Sequence, residues 1–126
     1  MRSKYHSRKV TINGITFDSG REARRYRELE LLQRAGQISD LRLQVPFELI
    51  PAQYAPSEQL ITRGPHKGEP KRGRCIERAC TYIADFVYIE GGKLIAEDAK
   101  GMRTKEYIIK RKLFRYLYKD YIFREV

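Results

Sequence analysis

A chain of 126 residues with 26 Lys and Arg against 16 Asp and Glu carries a formal net charge of +10. A domain of that length buries roughly two thirds of its unfolded surface, enough for a core without disulfide staples. No run approaches the roughly 18 apolar residues of a membrane helix, and residues 1–9 lack the apolar stretch of a secretory signal. These features exclude membrane proteins, stapled secreted scaffolds and multidomain enzymes. They leave one small cytoplasmic basic domain, residues 1–126, whose expected partner is a polyanion.

In chain order, residues 1–9 hold Arg2, Lys4, Arg8 and Lys9 and read as a basic N-terminal arm. The stretch Thr11-Ile12-Asn13-Gly14-Ile15-Thr16-Phe17 reads as a short hairpin or an extended lead-in, since Asn-Gly favours a type I′ turn. Ser19 and Glu22 have capping-box spacing and open a helix that closes at Ala35-Gly36, with Tyr26, Leu29 and Leu32 as its apolar stripe. Leu41, Leu43, Val45, Phe47 and Leu49 then alternate as a half-buried strand does. Pro46 interrupts the ladder, which places the regular strand at 47–50 and near an edge. Residues 51–74 contain four of the five prolines and read as a long mobile insertion.

Residues 78–89 are rich in β-branched and aromatic types, Gly91-Gly92 is a two-residue hairpin loop, and residues 93–100 return as the partner strand. A second helix is expected over 104–118 with Ile109, Leu113, Tyr116 and Leu117 inward, followed by a short strand at 121–123. Cys75 and Cys80 have neither a CxxC spacing nor a histidine partner and read as small buried hydrophobes.

Charge is concentrated. The arm carries +4, residues 63–74 carry five cations against one acid, and residues 102–119 carry seven against one, so the remainder of the chain is net acidic. Three such runs in one domain favour nucleic acid over an ordinary solvated surface.

Counting outward from the Gly91-Gly92 loop, Glu90 faces Lys93 and Asp85 stands across from Asp98. Directly opposed Cβ atoms lie roughly 4.5–5.5 Å apart. The same face would carry Thr81, Ile83, Val87, Leu94 and Ala96, with Lys100 pointing the same way. Two facing carboxylates on an apolar surface are costly unless something compensates them. A divalent cation would, and a set of hard oxygen ligands without His or Cys favours Mg²⁺, with Mn²⁺ as a substitute. The alternative is that Lys100 pairs with one Asp as a structural ion pair. Such a metal supplies what phosphodiester hydrolysis needs, with Lys100 orienting or deprotonating the attacking water or stabilising the transition state.

Asp85 followed after a spacer by Asp98-Ala99-Lys100 resembles the PD-(D/E)XK nuclease motif, with Ala84 where that superfamily often has Pro. The element order resembles its restriction-endonuclease-like αβββαβ core, a mixed central sheet flanked by helices. Phe17-Asp18-Ser19, Glu22, Gly36-Gln37-Ile38, Gln44, Ala84-Asp85-Phe86 and Glu97-Asp98-Ala99-Lys100-Gly101 are similar to small phage-borne members without a settled function. The resemblance implies a third acid from the first helix, and Glu22 fits. The capping box accounts for Glu22 equally well. A slipped hairpin register would let Glu97 exchange roles with Asp98. Gln44 reads either as a polar group at the cleft edge or as a strand-start residue.

The expected catalytic set is thus Glu22, Asp85, Asp98 and Lys100, the first three holding Mg²⁺. DNA contacts are expected from Arg2, Lys4, Arg8, Lys9, Gln44, Lys71, Arg72, Arg74, Arg103, Lys105, Lys110 and Arg111, with Tyr5 and Tyr54 available to stack on bases. The function expected is a Mg²⁺-dependent cytoplasmic DNA endonuclease, structure- or branch-selective and homodimeric, and the resemblance implies that it is phage-associated and acts in the host cytoplasm. The alternatives are a non-catalytic DNA- or RNA-binding module that kept the fold, and an RNA- or ribosome-associated basic protein.

Overall fold

A computed structural model of the chain describes residues 8–99 and 102–126; Arg2, Lys4, Tyr5 and Lys100 lie outside the described residues. Strands β1 (Val10–Ile12) and β2 (Ile15–Phe17) form an antiparallel hairpin. Its turn residues Asn13 and Gly14 have φ of 52° and 79°, the signs a type I′ turn requires. Helix α1 (Gly20–Arg34) starts at Ser19, whose side chain accepts the Glu22 N–H. Ala23, Tyr26 and Leu29 on its inner face are buried.

Strands β3 (Ser39–Ile50), β6 (Cys80–Glu90), β7 (Lys93–Asp98) and β8 (Tyr121–Glu125) make a four-stranded sheet in the order β3-β6-β7-β8. Between β3 and β6, the short strands β4 (Gln53–Tyr54) and β5 (Cys75–Glu77) pair with each other. The sheet is mixed, because β6 and β7 are antiparallel while β7 and β8 run parallel across helix α2 (Lys105–Leu117). Its elements follow the order helix, three strands, helix, strand, which is an α+β core with a mixed central sheet flanked by two helices.

The two sheet faces are covered differently. Phe86, Tyr88 and Ile95 pack with Phe17, Tyr26 and Leu29 on the α1 side. On the α2 side, Phe114 meets Phe47, Tyr82, Tyr118, Tyr121 and Phe123, with ring centroids 4.8–6.1 Å apart. By internal contacts the chain divides into two compact units, one made of the segments up to Phe47 and from Tyr82 onward, the other Glu48–Thr81.

Several expectations need correction. The strand expected at 47–50 begins at Ser39, because β3 is an edge strand and half its N–H groups have no ladder partner to lose to Pro46. Residues 51–74 are not irregular throughout, since backbone hydrogen bonds join their two arms. The buried residues of α2 are Tyr107 and Phe114, whereas Ile109, Tyr116 and Leu117 are exposed. Cys75 is an exposed thiol and Cys80 is half-buried, so neither is a core hydrophobe.

The face expected to hold Asp85 with Thr81 and Ile83 also differs, because β6 does not alternate evenly. Ile83 is exposed, Tyr82 packs on the α2 side, and Phe86, of the same parity as Tyr82, packs on the α1 side. Strand β3 does the same: Leu41 and Leu43 pack against the α1-side core, while Phe47 packs on Phe114. Between them Gln44 has φ of 51°, a left-handed conformation in mid-strand. Both strands therefore break their pleat, β3 around Gln44 and β6 ahead of Asp85.

Candidate active site

The hairpin register holds as far as Phe86↔Glu97, with Glu90↔Lys93 next to a loop whose Gly91 and Gly92 have φ of 57° and 77°. Beyond Phe86 the strands β6 and β7 separate, and Asp85 closes the fork: its Oδ2 accepts the Ala99 N–H at 2.9 Å. Asp98 is held from the other side by β8. It pairs with Glu125, and its carbonyl accepts the Val126 N–H at 3.0 Å.

Among the described residues, Glu22, Asp85, Glu97 and Asp98 are the four buried acids. Gln44 Nε2 donates to Glu22 Oε1 at 2.9 Å and to Asp85 Oδ1 at 3.3 Å. The left-handed turn at Gln44 thus sends an amide from the exposed edge strand onto two buried carboxylates, one from α1 and one from β6. Glu22 also has its backbone N–H on Ser19, so one residue serves both the cap and the carboxylate pair.

Asp98 is turned toward the aromatic layer. The Tyr82 hydroxyl donates to its Oδ2 at 2.5 Å. Burial first, and then the Asp98 charge, push the Tyr82 hydroxyl well above the ordinary tyrosine range, so it stays a donor. Among the described residues, no group of three or more His, Cys, Asp or Glu converges to hold a metal ion. Of the expected ligands, Glu22 and Asp85 are brought together through Gln44, while Asp98 occupies the neighbouring strand and is bonded to Tyr82.

Glu97 keeps the register counted from the Gly91-Gly92 loop, with no slip. It is fully buried on the α1 side, where Arg25 binds both oxygens, Nε to Oε2 at 2.6 Å and Nη2 to Oε1 at 2.9 Å. The Tyr88 hydroxyl adds a 2.6 Å bond to Oε1, and Arg124 in turn donates to that hydroxyl at 3.1 Å. The Glu97 hydrogen bond is the largest cause raising the Arg25 pKa further, and Arg25 Nη1 also donates to Glu28 Oε2 at 2.9 Å.

The expected DNA-contacting cations differ in their surroundings. Arg8, Lys9, Lys71, Arg74 and Lys105 are exposed. Arg103, Lys110 and Arg111 are engaged with acids: Arg103 Nε donates to Glu125 Oε1 at 2.7 Å, Arg111 reaches Glu125 Oε2 at 3.5 Å, and Lys110 pairs with Glu106 at 3.1 Å. Arg72 lies with its guanidinium 4.1 Å from the centre of the Tyr54 ring, so Tyr54 stacks on an arginine of its own chain. Lys100, adjacent to the fork in sequence, lies outside the described residues, as do Arg2 and Lys4.

Tyr82 and Arg25 were not foreseen. Arg25 had no local signal, because its partner Glu97 lies 72 residues away on β7. Tyr82 had none, because even alternation directs it away from Asp98. A groove of about 360 Å³ lined by Asn13, Arg27, Glu30 and Arg34, among others, lies at the β1–β2 turn and α1. None of the four buried acids lines it.

No curated protein and no solved structure matches the chain. A family model described as "Protein of unknown function (DUF1064)" matches residues 2–125, almost the whole length, and the chain therefore belongs to the DUF1064 family.

Proposed function

We propose that this chain is a Mg²⁺-dependent DNA endonuclease of the PD-(D/E)XK type, phage-associated and selective for DNA structure or branching. The observation that carries the reading is the Glu22–Gln44–Asp85 arrangement: two buried carboxylates from different elements that share one neutral amide as donor. Two buried carboxylates close enough to share one donor are an arrangement that a divalent cation between them would stabilise. Hard carboxylate oxygens without thiol or imidazole suit Mg²⁺ or Mn²⁺.

Glu22 and Asp85 would hold the ion, with Asp98 as the adjoining acid. When bound, the metal polarises the phosphoryl oxygen and acidifies a water molecule. The Ala99 N–H keeps the Asp85 carboxylate oriented across the strand fork. Tyr82 orients Asp98 by the same kind of bond, and its raised pKa keeps that hydroxyl protonated through neutral pH. Lys100 keeps the role assigned by its place in Asp98-Ala99-Lys100, orienting or deprotonating the water. Because one chain offers one site, cutting both strands takes two copies, and the functional unit is a homodimer.

The test is a panel of labelled linear, nicked, flapped and four-way DNA incubated with Mg²⁺ or Mn²⁺, beside Asp85→Ala and Lys100→Ala. Cleavage by the wild type that both variants lose supports the reading. DNA binding without cleavage of any substrate would instead indicate a non-catalytic module that kept the fold.

A further inference from the structure

The segment between β3 and β6 is organised as a two-stranded ribbon. Gln53 pairs with Glu77 and Tyr54 with Cys75 at its base. Further out the Ala55 N–H donates to Arg74 O at 2.8 Å, Lys71 N–H to Gln59 O at 2.7 Å, and Ile61 N–H to Glu69 O at 2.8 Å. Leu60 and Pro70 form a bridge between these last two bonds. At Gly73 the arms press so closely that a Cβ would stand 2.2 Å from the Ala55 carbonyl oxygen, so only glycine fits.

This ribbon has the wrong surface for a finished structure. Between residues 63 and 78 it displays six exposed cations, Arg63, Lys67, Lys71, Arg72, Arg74 and Arg78, against two acids, Glu69 and Glu77. One of those acids is engaged with His66 at 3.0 Å. Large apolar side chains are also exposed, with Leu60 at 54% and Ile76 at 51%. An isolated two-stranded ribbon is marginal in water, yet this one is stitched along its length. Its Arg72 is already stacked on Tyr54, which reduces the side-chain entropy lost when a guanidinium engages a phosphate or a base edge.

We propose that the Glu48–Thr81 unit is a preformed β-ribbon that docks in the major groove of duplex DNA and supplies metal-independent affinity. The width of that groove in B-form DNA admits a two-stranded ribbon. The deep, narrow major groove of A-form RNA does not, so the ribbon distinguishes DNA from RNA duplexes by shape. The inference rests on the DNA-directed part of the function proposed above and assigns its recognition step to a unit that contains none of the four buried acids.

The experiment measures binding of a labelled duplex by fluorescence anisotropy in EDTA, using the full chain. Three proteins are compared: wild type, Arg72→Ala, and the triple variant Lys71→Glu, Arg72→Glu, Arg74→Glu. The expected result is at least a tenfold loss of affinity in the triple variant and a salt dependence shallower by about 0.9 per lost phosphate contact. Wild type should also bind a double-stranded RNA of the same sequence, and DNA whose major groove is filled by glucosylated cytosine, at least tenfold more weakly. Equal affinity of the triple variant and wild type overturns the proposal, as does equal affinity for DNA and RNA duplexes. Circular dichroism establishes that the triple variant is folded, and Arg72→Ala tests the same surface with a smaller change. Metal-free binding through the ribbon without cleavage would retain this inference and remove the nuclease reading; cleavage with binding unaffected by the ribbon variants would do the reverse.

Discussion

Gln44 shows how a single side chain couples backbone strain to the candidate site. A non-glycine residue in the left-handed region costs on the order of 1–2 kcal/mol, and here it sits within a strand rather than in a turn. The strain brings its amide between Glu22 and Asp85. Gln44→Ala keeps the strained backbone and loses the donor, whereas Gln44→Gly loses the donor but relieves the strain. The glycine variant should therefore be about 1 kcal/mol more stable than the alanine variant in urea denaturation. Identical midpoints would mean that no strain is stored there. Glu97 is a buried acid held by a charged partner. Arg25→Ala leaves that carboxylate without its bidentate partner and should cost about 3 kcal/mol by the same measurement. A loss below 1 kcal/mol would mean that Tyr88 alone satisfies it. At this scale the sequence carried the hairpin register as far as Phe86↔Glu97, but the facing Asp85–Asp98 pair that counting implied does not form, and Asp85 meets Glu22 through Gln44 instead. The sequence did not reveal Tyr82, because the pleat breaks in β3 and β6 depend on how two strands diverge, and alternation assumes that they do not.

Elements with a marked cap or turn were the most legible. Asn13-Gly14, Ser19 and Gly91-Gly92 each demand a particular backbone geometry, and each terminates an element where that geometry occurs. Helix α2 was legible in extent but not in orientation. It carries Tyr107, Ile108, Ile109, Leu113, Phe114, Tyr116 and Leu117, so apolar residues surround much of its axis and several stripes compete. The structure selects Tyr107 and Phe114, two turns apart, because Phe114 fits the aromatic layer of Phe47, Tyr82 and Phe123. Phe114→Ala should accordingly cost about 3–5 kcal/mol, whereas Ile109→Ser should stay within about 0.5 kcal/mol of wild type. Thermal unfolding of the two variants distinguishes the orientations: the inward stripe expected from sequence predicts the opposite ranking.

Over the whole molecule, the balance of charge sets how stability changes with pH on the alkaline side. Raising the pH toward the pI of about 9.8 removes the net charge of +10 and relieves self-repulsion, which favours the folded state. Buried tyrosines oppose this at higher pH, Tyr82, Tyr88 and Tyr107 among them. Tyr82, Tyr88 and Tyr107 donate to Asp98, Glu97 and Glu125, carboxylates of the adjoining strands β7 and β8. Burial is the largest cause raising each hydroxyl above the ordinary value of 10.0, and the neighbouring carboxylates add to it, with Tyr88 pushed up to about 12. A folded pKa above the unfolded one means that these groups contribute their full stability below pH 10. That contribution declines as pH rises from there through the folded values, because the unfolded chain then releases protons that the folded chain retains. Urea midpoints should therefore fall from about pH 10 upward in wild type. Tyr88→Phe removes one such group, so it should start less stable at neutral pH yet lose less between pH 10 and 12. Parallel curves for wild type and Tyr88→Phe over that interval would show that the Tyr88–Glu97 bond does not hold this proton in the folded chain.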